Sequence, residues 1–214
     1  MKHVLDKITQ TPWKDNGLTE NQKLQKIEGL FFEIMVTLGI DMNDDSLVET
    51  PKRVAKMYVK EVFSGLLPEN FPKMTTVDNK FNYDQIVMEA NITLNSNCEH
   101  HFIPILGVAH IAYKPNKKVL GLSKMNRLVD YFSRRPQIQE RLNLQIMEAM
   151  QVLLETEDVA VVIDGVHTCV KTRGIKDSKS LTRTSSLGGI FRSDEKARME
   201  LFASIPSVNE IKIL

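Results

Sequence analysis

Apolar positions in this chain recur first at helical spacing, then in extended runs, then at helical spacing again. From residue 20 to about 39, Leu24, Ile27, Leu30, Phe31, Ile34 and Leu38 keep the three-to-four spacing of one helix face. Thr19 and Gln22 form a capping box ahead of that helix, and Gly39 stops it. Thr50-Pro51 predicts a second start, an N-cap followed by proline at the first helical position, with Val54, Met57, Tyr58 and Val62 as its face up to Gly65. Residues 84–94 and 105–114 carry the β-branched and aromatic side chains of strands, and Pro115-Asn116 ends the second. Helical spacing returns after Ser123 with Leu128, Val129 and Phe132. A longer helix then starts at Pro136 and carries Ile138, Leu142, Ile146, Ala149, Met150 and Leu153. The unbroken apolar run 159–163 predicts a buried strand, 169–175 and 182–191 are further extended segments, and a short helix follows Ser193.

That order has no repeated βα unit. It predicts an α+β fold with an antiparallel sheet rather than a doubly wound parallel one. Residues 1–18 are polar and aperiodic and predict an N-terminal arm that is mobile or partner-dependent; 19–66 form an N-terminal helical region, and 67–214 the main domain. Residues 68–82 read as irregular. The acidic connector 41–45 lacks the glycine of a calcium-binding loop and predicts a solvated turn.

Composition narrows the function classes. Apolar residues make up 42% of the 214, enough for a core without staples. Lys+Arg 28 against Asp+Glu 27 excludes a bulk nucleic-acid binder, whose domain is strongly basic, so any anion site must come from local clustering. No run of about 18 apolar residues exists for a membrane span, and the start has no apolar signal core. The expectation is a cytoplasmic protein that contacts neither membrane nor nucleic acid.

Both cysteines sit beside histidines, in Asn97-Cys98-Glu99-His100-His101 and His167-Thr168-Cys169. Thiolate with imidazole is a zinc donor set, and a catalytic zinc takes three protein ligands and leaves one position open. Cys98 and His101, at i and i+3, suit one turn offering two ligands; Cys169 would supply the third from a separate element. Adjacent histidines rarely reach one ion together, so His100 and His167 are expected beside the metal as proton-transfer groups. A closed structural site using His100 or His167 as fourth ligand, and a Cys98–Cys169 disulfide, are the alternatives. His3 and His110 read as structural or exposed rings.

Positive charge gathers near these motifs. Lys124 and Arg127 lie at i, i+3 by a helix start, where backbone N–H groups favour phosphate. Arg134, Arg135, Lys171 and Arg173 add to it. Gln139-Glu140 falls in the first turn of the long helix, where the carboxylate either complements the helix dipole or accepts N–H groups from a guanine-like edge.

Taken together, these motifs resemble the GTP cyclohydrolase I family. The resemblance rests on Thr50-Pro51-Lys52-Arg53-Val54-Ala55-Lys56-Met57-Tyr58, Cys98-Glu99-His100-His101, Gly107-Val108-Ala109-His110-Ile111-Ala112-Tyr113, Gly121-Leu122-Ser123-Lys124, Arg134-Arg135-Pro136-Gln137-Ile138-Gln139-Glu140-Arg141, His167-Thr168-Cys169 and Arg173-Gly174, in family order over about 20–205. It implies a tunnelling fold (T-fold) behind N-terminal helices, with the sheet antiparallel and helices on one face. It also implies a homodecamer of two pentameric rings, with active sites between subunits. The implied reaction converts GTP and water to formate and 7,8-dihydroneopterin triphosphate, the first step toward tetrahydrofolate. One Zn²⁺ per subunit would be held by Cys98, His101 and Cys169. His167 would protonate the guanine imidazole while water is activated at the metal, and His100 would assist ring opening. Glu140, helped by Gln139, would anchor the pyrimidine edge. Lys124, Arg127 and Arg173 would hold the triphosphate, and Ser123 would sit by the ribose. Arg53 and Lys56 match a segment that reaches a neighbour's phosphates. The rival zinc reading, a base deaminase, needs Pro-Cys-x-x-Cys and His-x-Glu, which this chain lacks.

Overall fold

The computed structural model describes residues 2–207. The N-terminal helix face forms as its pattern demands: α2 spans Glu20–Thr37, and Thr19 and Gln22 close the capping box reciprocally. A short helix, α1 (Lys2–Leu5), precedes it, and α3 runs Thr50–Lys56 with Glu49 rather than Thr50 in the cap position. The chain then widens over Met57–Val62, where Phe63 N–H reaches back to the Tyr58 carbonyl. Leu30, Ile34 and Leu38, expected on the buried face of α2, are 66%, 50% and 71% exposed, so α2 packs on α3 while much of its apolar stripe faces outward in the single chain.

The main domain is α+β. Five strands lie in the order β5-β2-β3-β6-β7: β2 Val87–Cys98, β3 Pro104–Tyr113, β5 Pro136–Gln137, β6 Val159–His167 and β7 Thr182–Leu187. β2, β3, β6 and β7 pair antiparallel as expected. The sheet is nevertheless mixed, because the two-residue β5 joins β2 in parallel at Asn97↔Pro136 and Cys98↔Gln137. Pro136 therefore ends a loop in extended form, and the long helix begins three residues later. A separate ribbon pairs β1 (Thr76–Asp78), inside the stretch expected to be irregular, with β4 (Lys118–Leu120).

Two helices, α4 (Leu122–Ser133) and α5 (Gln139–Leu154), cover one sheet face. Met125, Leu128, Val129 and Phe132 of α4 and Leu142, Ile146, Ala149 and Met150 of α5 bury against Leu94, Ile111, Val161 and Ile163. Burying one such side chain stabilises by about 1.5–3 kcal/mol, so this layer dominates the fold. Helices are not confined to that face. α7 (Gly189–Ser193) and α8 (Glu195–Ser204) put Phe191 and Leu201 against Ala112 and Ala160 on the other side, because strand residues one apart point to opposite faces.

The arm is the clearest departure from its polar pattern. Val4 and Ile8 are buried in the main core, Thr9 donates to the Glu148 carboxylate at 2.6 Å, and Gln145 of α5 donates to the Thr9 carbonyl at 2.8 Å. Two apolar residues and a few hydrogen bonds suffice to dock it, too few to leave a periodic signal. Among the described residues no helix is long and apolar enough to cross a membrane.

Candidate metal centre and base-reading site

β2 ends at Cys98 and the chain turns through Glu99-His100-His101 before β3. That turn is tied twice at Cys98: its N–H donates to the Ile103 carbonyl at 2.9 Å, and its carbonyl accepts from Phe102 N–H at 2.8 Å. Phe102 takes a left-handed backbone, φ 56°, and its ring meets Phe63 (centroids 5.0 Å) and Tyr58 (6.2 Å), which anchors the turn on the N-terminal helical region. Cys169 arrives from the far end of β6. The segment expected to be extended from 169 instead coils as α6 (Thr168–Lys171), held by Thr168 Oγ1 donating to the Pro104 carbonyl at 2.6 Å. The antiparallel pairing of Ile105 with His167 brings the two motifs side by side.

The ligand atoms of Cys98, His101 and Cys169 lie within 4.8 Å of one another. Zinc at about 2.3 Å from sulfur and 2.0–2.1 Å from nitrogen sets tetrahedral S and N ligands about 3.6 Å apart. Cys98 Sγ and His101 Nδ1 are 3.6 Å apart. Both cysteines are free thiols, so no disulfide closes the pair. Burial, reinforced by the neighbouring Cys98, pushes the Cys169 thiol up, the Arg173 charge opposing weakly. Two crowded sulfurs with one imidazole suit a bound cation, which takes them as thiolates. The residues present fit zinc.

His100 Nδ1 stands 3.8 Å from Cys98 Sγ while the ring is exposed. Beneath it, Glu99 is clamped by Arg141, which also donates to the Gln137 side chain (3.1 Å) and the Pro136 carbonyl (3.1 Å). Gln137 donates in turn to Gln145, whose amide holds the arm at Thr9 and Thr11. This buried polar chain escaped the sequence reading. The only trace of it is polar residues at core positions of α5 and the segment before it.

His167 is the last residue of β6, half-buried. Burial lowers its pKa, and the nearby Glu140 carboxylate opposes the shift. Its Nε2 lies 2.9 Å from Gln139 Oε1. Gln139 is buried, and its amide nitrogen faces the Ile163 carbonyl (3.1 Å), the Thr182 carbonyl (2.9 Å) and Thr184 Oγ1 (3.0 Å). Glu140 is exposed on the same first turn of α5.

The structure thus gathers Cys98, His100, His101, Gln139, Glu140, His167, Cys169 and, through its charge on Cys169, Arg173. Ser123, Lys124 and Arg127 are elsewhere. α4 runs back along the sheet: Ser133 at its end accepts from Ser96 Oγ, while Asn126 near its start contacts Glu89, and Leu120 N–H donates to Tyr113 Oη. Its N-terminus therefore stands at the Tyr113 end of β3 and the thiols at the Ile105 end. At about 1.5 Å of rise per residue, Lys124 and Arg127 lie about 14 and 9 Å back along α4 from Ser133 at the thiol end. His110, read as structural, is buried with Nδ1 accepting from Asn91 N–H (3.3 Å) and Nε2 3.4 Å from Asp164, which Arg183 grips with two bonds of 2.7 Å.

The profile of the GTP cyclohydrolase I family matches residues 27–206. A protein of Shewanella loihica named GTP cyclohydrolase 1 is 51% identical over 201 residues, 94% of each chain. One of Aeromonas hydrophila with the same name is 54% identical over 196 residues, 92% of this chain and 90% of its own. A thiol–imidazole cluster at the end of β2 and β6, a half-buried histidine two residues before the last ligand, and similarity along nearly the whole length leave one conclusion: the chain belongs to the GTP cyclohydrolase I family.

Proposed function

We propose that this enzyme is a zinc-dependent GTP cyclohydrolase that converts GTP and water to formate and 7,8-dihydroneopterin triphosphate, opening the route to tetrahydrofolate in the cytoplasm. The observation that carries the reading is the meeting of Cys98, His101 and Cys169 within 4.8 Å, with His167 beside them. Zinc held there supplies Lewis acidity for hydrolysis at neutral pH. His167, whose pKa burial lowers, delivers a proton to the imidazole nitrogen of guanine and recovers it later. His100, exposed at the rim, serves proton transfers as the ring opens. Glu140 presents its carboxylate to the N–H groups of the pyrimidine edge, a charge-assisted pairing that sets base choice. Arg173 binds phosphate from the metal side, and Lys124, Arg127 and the Ser123 hydroxyl from the other side of the ligand.

The separation of those two groups along the sheet supports a site shared between copies: one subunit brings the metal and guanine anchor, a neighbour brings the start of α4. Exposed Leu30, Ile34 and Leu38 give the N-terminal helices apolar surface for such an assembly. We read the architecture as a T-fold and the assembly as a homodecamer. The test is direct: incubation with GTP should release formate in step with a pterin that fluoresces after oxidation, and a zinc chelator should stop both. Ammonia released without formate would replace this function with deamination.

A further inference from the structure

We infer that Gln139 is a positioning residue for His167, holding the imidazole in one orientation and one tautomer rather than reading the guanine ring. The inference deepens the proposed function, since it rests on His167 as the proton-transfer group. Three protein acceptors surround the Gln139 amide nitrogen, at 2.9–3.1 Å, which fixes that end as the donor and turns Oε1 toward His167. An amide oxygen only accepts, so at 2.9 Å the ring must donate from Nε2. In the neutral ring Nδ1 is then the unprotonated nitrogen.

The surroundings are built for this contact. A Cβ added at Gly165 of β6 would lie 2.5 Å from Gln139 Oε1 and 3.3 Å from Ile105 Cγ2. The glycine opens the channel through which the side chain reaches from α5 across β6 to His167. Gln139 is 2% exposed, with little surface left for a ligand. Glu140, one residue on and exposed, is the residue free to meet the base. Fixing an imidazole through the nitrogen it does not use is the same device by which partners of metal-bound histidines set ring orientation.

Two variants test the inference: Gln139→Met keeps the shape and removes both hydrogen-bonding ends, and Gly165→Ala keeps every polar group and displaces the acceptor. Both should lower kcat about 10- to 100-fold with KM for GTP unchanged and with discrimination between GTP and inosine triphosphate intact. In metal-loaded protein with ¹⁵N-labelled histidine, the His167 ring should shift from a single Nε2–H tautomer in the parent to a mixture in both variants, the signals being assigned by their loss in His167→Asn. A raised KM with lost discrimination, or a parent ring protonated at Nδ1, would overturn the inference and make Gln139 a base contact. Should His167→Ala retain full turnover, the proposed function of His167 falls, while the tautomer measurement still decides what Gln139 does to the ring.

Discussion

A His167→Ala chain and a Lys124→Ala/Arg127→Ala chain should each be nearly inert, yet regain activity when assembled together. The first loses the proposed proton-transfer group, worth about 10²–10⁴-fold in rate. The second loses the cations at the start of α4. Within one chain α4 sets Lys124 and Arg127 about 14 and 9 Å back along the helix from Ser133, which stands at the end of the sheet that carries the thiols. On the proposed shared site, each working site draws its two halves from different copies. In an equal random mixture about one quarter of sites pair an intact metal half with an intact cationic half, so activity per site should return to about one quarter of the parent. The assay is formate release by co-expressed, differently tagged chains, purified through both tags so that mixed assembly is assured. Activity no higher than the sum of the separate variants would refute a shared site.

Other consequences follow from named contacts. Deleting residues 1–13 removes Val4 and Ile8 from the core and strips Gln145 and Arg135 of hydrogen-bond partners, so the urea midpoint should report a loss of about 3 kcal/mol or more. Arg141→Ala releases Glu99 beneath the metal turn and should weaken zinc retention about 10-fold in competition with a chelator, with the fold intact by circular dichroism. Burial lowers the His110 pKa from 6.5 against the pull of Asp164, so the folded chain keeps the ring neutral while the unfolded chain takes up a proton. That contribution is complete above 6.5 and is lost as pH falls from there toward the lowered folded value. His110→Gln should flatten the stability-versus-pH curve in that window; an unchanged slope would count against it.

The Cys98–His101–Cys169 cluster was legible because its chemistry is local in sequence: Cys98 and His101 lie on one turn, and Cys169 needed only a strand to return it. The capping box of α2 and the apolar run of β6 were legible for the same reason, their signals being short-range. What escaped was carried by distant or brief contacts. β1 and β4 are three residues each and gain stability only by pairing with each other. β5 is a two-residue parallel bridge that no periodicity announces. Val170 and Thr172 are β-branched and their stretch read as extended, but the Thr168 hydroxyl bond to the Pro104 carbonyl and the end of the ladder coil the chain into a turn. The arm docks through two side chains, and Gln139 meets His167 from 28 positions away. Polar residues on the buried face of α5 were the one available hint that side-chain networks, not only apolar packing, hold this end of the sheet.

Metal content measured on the purified chain and on Cys98→Ser, His101→Ala and Cys169→Ser, each beside its rate of formate release, tests the centre most directly. The parent should carry one zinc ion per chain and turn over GTP, and each substitution should lose metal and activity together. A parent that makes formate at full rate without metal, or a Cys169→Ser chain that binds zinc as tightly as the parent, would contradict the account.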